Sequence, residues 1–284
     1  MDAVAAEYVA ARRVLLDALE ALTDHLPSLI LVGAQAVYHH TGDADLNVPL
    51  MTTDADLAID TRGLTDVPEI GAVLRAAGFV PGPNPGHWVA ASDIAVDLMV
   101  VPHQARTAKA SARAARLAPH DRQTARIARG LEPALVDHER VVIGALDPVD
   151  TRTFDLAIAG PAALLVAKVI KISERLGQTD RQPDRLKEKD ALDAFRLLQA
   201  VETSELVLGL TKHRGEPNAA TVADEALEIL RLHASTPRGR IALLASSAAG
   251  GDITVAPAFA ALCNDLLAAL QTRPTQSEPP AARP

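Results

Sequence analysis

Aromatic side chains are scarce in this 284-residue chain: one Trp, two Tyr and four Phe make up 2% of it. That scarcity argues against recognition by ring stacking, as on single-strand-binding sheets, which needs several exposed rings. Cysteine occurs once, at Cys263, which excludes an intramolecular disulfide and a Cys-rich zinc site. No apolar run approaches the ~18–20 residues of a membrane span. The opening segment MDAVAAEYVAARR carries acids early, unlike an export signal. These absences predict a soluble, cytoplasmic protein. Hydrophobic residues still reach 48%, so the core must be built from Ala, Leu, Val and Ile. The length fits one large domain or two small ones.

The net charge is −8, from 28 basic and 36 acidic residues, a balance that counts against nucleic acid as a partner. The distribution says otherwise. Between His103 and Gly130 stand Arg106, Lys109, Arg113, Arg116, Arg122, Arg126 and Arg129, opposed by Asp121 alone. That segment carries +6 and leaves −14 on the remainder. Local charge decides where a polyanion docks.

Apolar spacing over Ala3–Thr23 predicts a helix, and SLILV (28–32) a short buried strand broken by Gly33 into a helix AQAVYHH. A loop is expected over Thr41–Thr53, then an alternating strand DADLAID (54–60). VPEIGAVLRAAG reads as a helix with Gly78 as its stop. FVPGPNPGHWVAAS reads as two strand pieces around a wide turn, and DIAVDLMVVP (93–102) as a strand closed by proline. The basic segment, rich in Ala, is expected to be partly helical with a break at Pro119. RVVIGAL and TFDLAIAG add two strands. After Pro161 come four amphipathic helices: AALLVAKVIKISERL, DRLKEKDALDAFRLLQAV, TVADEALEILRLHA and APAFAALCNDLLAAL. The expected organisation is an α/β domain over 1–155, a helical domain over 156–270 and a disordered Pro-rich tail over 271–284.

Residues two apart on a strand share a face, so Asp54 and Asp56 project together while Ala55 and Leu57 enter the core. Asp93 and Asp97 share a face in the same way, and a neighbouring strand would bring Asp97 beside the first pair. Asp93 competes for that role, but Asp97 sits deeper in the apolar run, where an unpaired carboxylate is costly. Three clustered carboxylates need a cation, and hard oxygen ligands select Mg²⁺ or Mn²⁺. Two such ions suit an in-line phosphoryl displacement. Gly33, at a strand-to-helix turn, would present backbone N–H groups to phosphate.

LVGAQAVYHH, TTDADLAID and DIAVDLMVV together resemble the nucleotidyltransferase superfamily that includes DNA polymerase β. The later stretch AKVIKISERLGQTDRQPDRLKEKDALDAFRLL is similar to the Lys-then-Asp helical motifs of AbiEii/AbiGii-type (MenT-like) toxins. The resemblance covers about Leu29 to Leu198. It implies a mixed sheet with flanking helices, followed by a helical domain that closes over an NTP. It also implies two metal ions on Asp54, Asp56 and Asp97, with Asp97 helping to activate the acceptor hydroxyl. Phosphate would lie at Gly33 and Ala34. Lys168, with Lys171 as the alternative, would contact the nucleotide phosphates, and Asp190 would support the site. The implied acceptor is an RNA 3′ end, a tRNA above all, and the implied partner a cognate antitoxin. Arg106, Lys109, Arg113, Arg116, Arg122 and Arg126 would then track the RNA backbone. Two departures bear on substrate: Ala34 replaces the usual Gly or Ser, and Gly33 and Asp54 stand 21 positions apart.

Each signal has a plainer reading. Lys168 and Lys171 snorkel from many core helices, and Asp190 and Asp193 would serve in surface ion pairs with Lys187 and Lys189. His39 and His40 read as a helix end, Cys263 as core filler, and the basic segment as a solvated face. The acceptor could instead be a protein side chain or an aminoglycoside-like small molecule. A third reading keeps the fold as a non-catalytic, antitoxin-like binding module.

Overall fold

The computed structural model describes residues 5–42, 52–107, 109, 111–177 and 188–272. Most of the expected Thr41–Thr53 loop and nearly all of the expected tail lie outside the described residues. The fold is α/β, with a mixed eight-stranded sheet. Its strands are β1 (Leu29–Val32), β2 (Asp54–Ile59), β3 (Val80–Pro81), β4 (His87–Val89), β5 (Ala95–Val100), β6 (Arg126–Ile127), β7 (His138–Gly144) and β8 (Thr153–Ala159). They lie in the order β3-β4-β5-β2-β1-β8-β7, with β6 beside β5. β1 is antiparallel to β2, whereas β2–β5 and β1–β8 are parallel.

Helix α1 (Ala6–Ala21) packs on β2 and β5, and α2 (Gly33–Thr41) follows β1 directly. The short α3 (Ile70–Ala76) begins later than the periodicity predicts, because Glu69 caps it by accepting from Gly71 N at 2.9 Å and Ala72 N at 2.6 Å. Its end is a Schellman turn. Gly78 at φ +88° donates to Arg75 O, and Phe79 donates to Leu74 O, each at 3.0 Å.

The basic segment corrects the expectation of helix. Ala115 and Leu117 are buried while Arg116 is exposed, a strand-like period of two. Main-chain bonds then fold it back along the edge of β5: Arg116 N to Ala105 O, Ala115 N to Ala125 O and Ile127 N to Arg113 O. The buried Trp88 indole donates to Thr124 O at 3.2 Å, so the loop wraps the one tryptophan.

The boundary expected at 155 falls inside β8, which pairs along its length with β7. Helices resume at α4 (Pro161–Leu176), where Pro161 takes the first helical position and loses no hydrogen bond there. Then come α5 (Lys189–Ala200), α6 (Thr203–His213), α7 (Pro217–His233), α8 (Arg240–Ala248) and α9 (Val255–Thr272). One aliphatic core runs through both halves. α9 departs from the expectation on apolar runs: its 18 residues are long and apolar enough to cross a membrane. Here it is a core helix, burying Val255, Phe259, Cys263 and Leu266.

Candidate active site

The site lies where β1 ends and β2 begins. Val32 is the cross-strand partner of Asp56, so the chain leaving β1 turns directly over that carboxylate. The turn residue is Gly33 at φ +69°, and a Cβ there would overlap the Asp56 side chain. Only glycine meets both demands. The first N–H groups of α2, from Gly33 and Ala34 onward, have no acceptor within the helix.

Asp54 and Asp56 share a half-buried face, with Ala55 and Leu57 fully buried behind them. Thr52 Oγ1 donates to Asp54 Oδ1 at 2.8 Å, and Gln35 Nε2 donates to Asp54 O at 3.1 Å. Gln35 is itself fixed by Arg12 Nε at 2.8 Å, and Arg12 also reaches Gly144 O at 2.9 Å. Sequence reasoning missed all three: Gln35 and Arg12 meet Asp54 only through the tertiary fold, whereas Thr52 stands two residues from it. The Asp56 carboxyl is pushed up to about 6 by burial first, then by the charges of Asp54 and Asp97, against the pull of Lys171 and Arg126.

Asp97 is the parallel-strand partner of Asp56, on the same face one strand away. Asp93 is excluded from that row: it sits exposed at φ +61° in the turn before β5. Both Asp97 oxygens are engaged. His87 Nδ1 donates to Oδ1 at 2.7 Å and Arg126 Nη2 to Oδ2 at 3.0 Å. His87 was not anticipated, and Arg126 was expected to face RNA rather than an aspartate.

The donor set answers whether a metal fits. Asp54 and Asp56 suit a hard divalent cation, since two carboxylates on one face repel and a cation relieves them. Among the described residues, no group of three or more His, Cys, Asp or Glu side chains is placed to hold a metal. Asp97, the third expected acid, is paired with His87 and Arg126. The reason is β4 and β6, which set an imidazole and a guanidinium against β5.

Lys168 is engaged within the protein. It is buried, and its ammonium lies 3.0 Å from Asp190 and 2.6 Å from Asp193. Burial alone would lower its pKa, but the two carboxylates raise it well above the ordinary lysine value. Asp190, also held by Lys171 and Arg175, lies far below the carboxylate range despite its burial. This cluster ties α4 to α5. It is not the surface ion-pair network, and Lys187 lies outside the described residues. Lys171, with 41% of its side chain exposed, acts on Asp56 together with Arg126. Lys189, pushed down by burial and drawn up by charges including Asp54, stands 6.0 Å from the centroid of the Tyr38 ring.

Arg106, Lys109, Arg113, Arg116 and Arg122 are exposed and form no ion pair among the described residues. Arg129 instead pairs with Glu225. His40 Nε2 bonds Ala159 O at 2.9 Å, consistent with a helix end. Cys263 is buried, with its thiol pushed up to about 12 by desolvation. Compared with protein-family models, curated proteins and solved structures, the chain matches none.

Proposed function

We propose that this chain is a metal-dependent nucleotidyltransferase with a nucleotidyltransferase-type fold, moving NMP from an NTP to an acceptor hydroxyl. The observation that carries it is the Asp54–Asp56 pair lying directly beneath the Gly33 turn. Such an arrangement sets hard-ion ligands beside free helix N–H groups, the two things a triphosphate needs. When bound, Mg²⁺ or Mn²⁺ would lower the pKa of the attacking hydroxyl and neutralise the leaving group. Asp54 and Asp56 would hold the ions. Gly33 and Ala34 would donate to phosphate oxygens, and Lys171, rather than Lys168, would balance the triphosphate charge. Asp190 would serve indirectly, by fixing Lys168 and the α4–α5 junction.

The acceptor is proposed to be RNA, a tRNA 3′ end in particular. Five exposed cations without acidic partners among the described residues favour a polyanion over a protein side chain or a small molecule. Modifying tRNA ends would stop growth, the behaviour of a toxin restrained by an antitoxin. The test is incubation with each labelled NTP, Mg²⁺ and separate tRNA, protein and small-molecule pools. Metal-dependent label on tRNA, lost in Asp56→Ala, is expected. Label confined to protein would remove the RNA acceptor, and no label in a folded protein would favour the non-catalytic module.

A further inference from the structure

Three parts of the chain meet at a pair of buried histidines that the proposed transfer does not use. His25 lies in the 3₁₀ turn Thr23–Ser28 that joins α1 to β1, and His120 lies in the basic loop. Their rings meet edge to face with centroids 5.5 Å apart. Thr65, in the segment between β2 and α3, bonds both. Its hydroxyl lies 3.1 Å from His25 Nδ1 and its carbonyl 2.9 Å from His120 Nε2. His25 Nε2 reaches Pro68 O at 2.8 Å, and Ile70 N donates to His120 Nδ1 at 3.2 Å. The pair thus fastens the basic loop to the start of α3.

The partners fix where each ring holds its proton. A carbonyl only accepts and a backbone N–H only donates, so His120 carries its proton on Nε2 and keeps a lone pair on Nδ1. Ile70 is the first residue of α3, and its N–H is one that the helix itself leaves unpaired. Glu69 takes the next two, from Gly71 and Ala72. A second proton on His120 would point at the Ile70 N–H and break that bond. His25 differs. Its Nε2 donates to Pro68 O, and the Thr65 hydroxyl accepts as readily as it donates, so a second proton there costs no hydrogen bond. Burial first, then the His120 ring, lower the His25 pKa, against Pro68 O, Asp24 and Glu69, which raise it. The other charged groups around the pair are Asp66 and Asp121, next to Thr65 and His120 in sequence, and Arg75 of α3, which pairs with Asp121 at 2.6 Å.

We propose that His120 is a pH-sensitive latch on the basic loop, closed while its imidazole is neutral and opened when the ring takes a second proton. The loop held in this way presents Arg113, Arg116 and Arg122, so acid loosens the surface offered to a polyanion. Two other ties of the loop involve no histidine: Asp121 N donates to Glu69 Oε1 at 3.1 Å, and the Trp88 indole to Thr124 O. They keep the loop on the protein once the latch opens, so the opening is local. The device does not depend on the nucleotidyl-transfer reading.

The test uses the full chain, with imidazole ¹⁵N spectra and amide hydrogen exchange followed from pH 7.5 to pH 5.5. At pH 7.5 His120 should be a neutral ring with its proton on Nε2. After correction for intrinsic exchange rates, protection of the Ile70 and His120 amides should fall about tenfold over this range, the effect of one proton taken up by an opened histidine that titrates near about 6.5. His120→Asn offers an oxygen to Ile70 N and does not titrate, so its protection should stay level. His25→Gln keeps a donor for Pro68 O and should retain the tenfold step. A proton on His120 Nδ1 at pH 7.5 would overturn the proposal, as would wild-type protection that stays level. So would a His120→Asn chain that keeps the whole step, or a His25→Gln chain that loses it. The wild-type spectra and exchange decide the matter even where a variant fails to fold.

Discussion

Removing the Asp56 charge should stabilise the metal-free protein at neutral pH while destroying its activity. The carboxyl stands at 3.8 in an unfolded chain and at about 6 in the folded one, driven up by burial and by Asp54. Below pH 3.8 both states hold the proton, and the site makes no net demand. Between 3.8 and about 6 the folded chain keeps a proton that the unfolded chain has lost, so stability falls as pH rises. Above that window the loss is complete. At 1.36 kcal/mol per pH unit it amounts to about 3 kcal/mol. Asp56→Asn has no such titration. In EDTA it should match the wild type near pH 4 and exceed it by about 3 kcal/mol at pH 7.5. For a chain of this size that is a Tm difference on the order of 6–12 °C. Added Mg²⁺ should narrow the gap by stabilising only the wild type. Thermal melts across the pH series decide it. A difference that stays flat from pH 4 to pH 7.5, or a less stable variant at pH 7.5, would refute the claim that burial and neighbouring charge raise this carboxyl in the folded chain.

Four further outcomes follow from the same geometry. Gly33→Ala combines a positive φ with overlap on Asp56; it should lose at least about 1 kcal/mol in urea melts and lose transfer altogether. Lys168→Met leaves Asp190 and Asp193 buried without their central cation and should lose about 3–5 kcal/mol. Lys171→Met should change stability by under about 1 kcal/mol but raise the KM for NTP, and a reversal of that order would restore Lys168 as the phosphate ligand. Replacing Arg113, Arg116 and Arg122 with Ala should flatten the salt dependence of RNA retention by about 0.7 to 0.9 log units per log unit of salt for each contact removed. An unchanged slope would make the loop a solvated face.

The parts of the site legible in the sequence are those set by local rules. A buried strand ending in glycine, an alternating Asp-x-Asp strand and a second alternating strand with Asp97 can each be read from their own residues. The register that makes Asp97 the neighbour of Asp56 is a consequence of two aliphatic faces being buried together. His87 was illegible for the opposite reason. Its pairing with Asp97 depends on how the turn between β4 and β5 closes, through Ala90 N bonding Ile94 O at 2.9 Å. Lys168 and Lys171 stand three apart on α4, on nearly the same helix face, so periodicity could not separate the buried one from the exposed one. The Ala-rich basic loop misled because Ala favours helix locally. Tertiary burial of Ala115, Leu117 and Ala125 outweighed that preference. α6 was missed because Gly209 interrupts its pattern; that glycine lets α6 lie close against Ala162 of α4 and the Asp137 carboxylate.

The scarcity of aromatic rings bears on how such a site is held rigid. Aliphatic side chains pack without direction, so an Ala/Leu core fixes the distance between elements better than the orientation of polar groups upon them. Orientation is supplied by hydrogen-bonded relays that reach in from outside the sheet. Arg12 spans α1, Gln35 and β7 to steady the Asp54 backbone, and Lys168 joins α4 to α5 behind Lys171. Each relay ends on a residue beside the proposed site. Changes at Arg12 or Lys168 should therefore reach activity through lost order, and conservative replacements should recover it in proportion to the hydrogen bonds they restore.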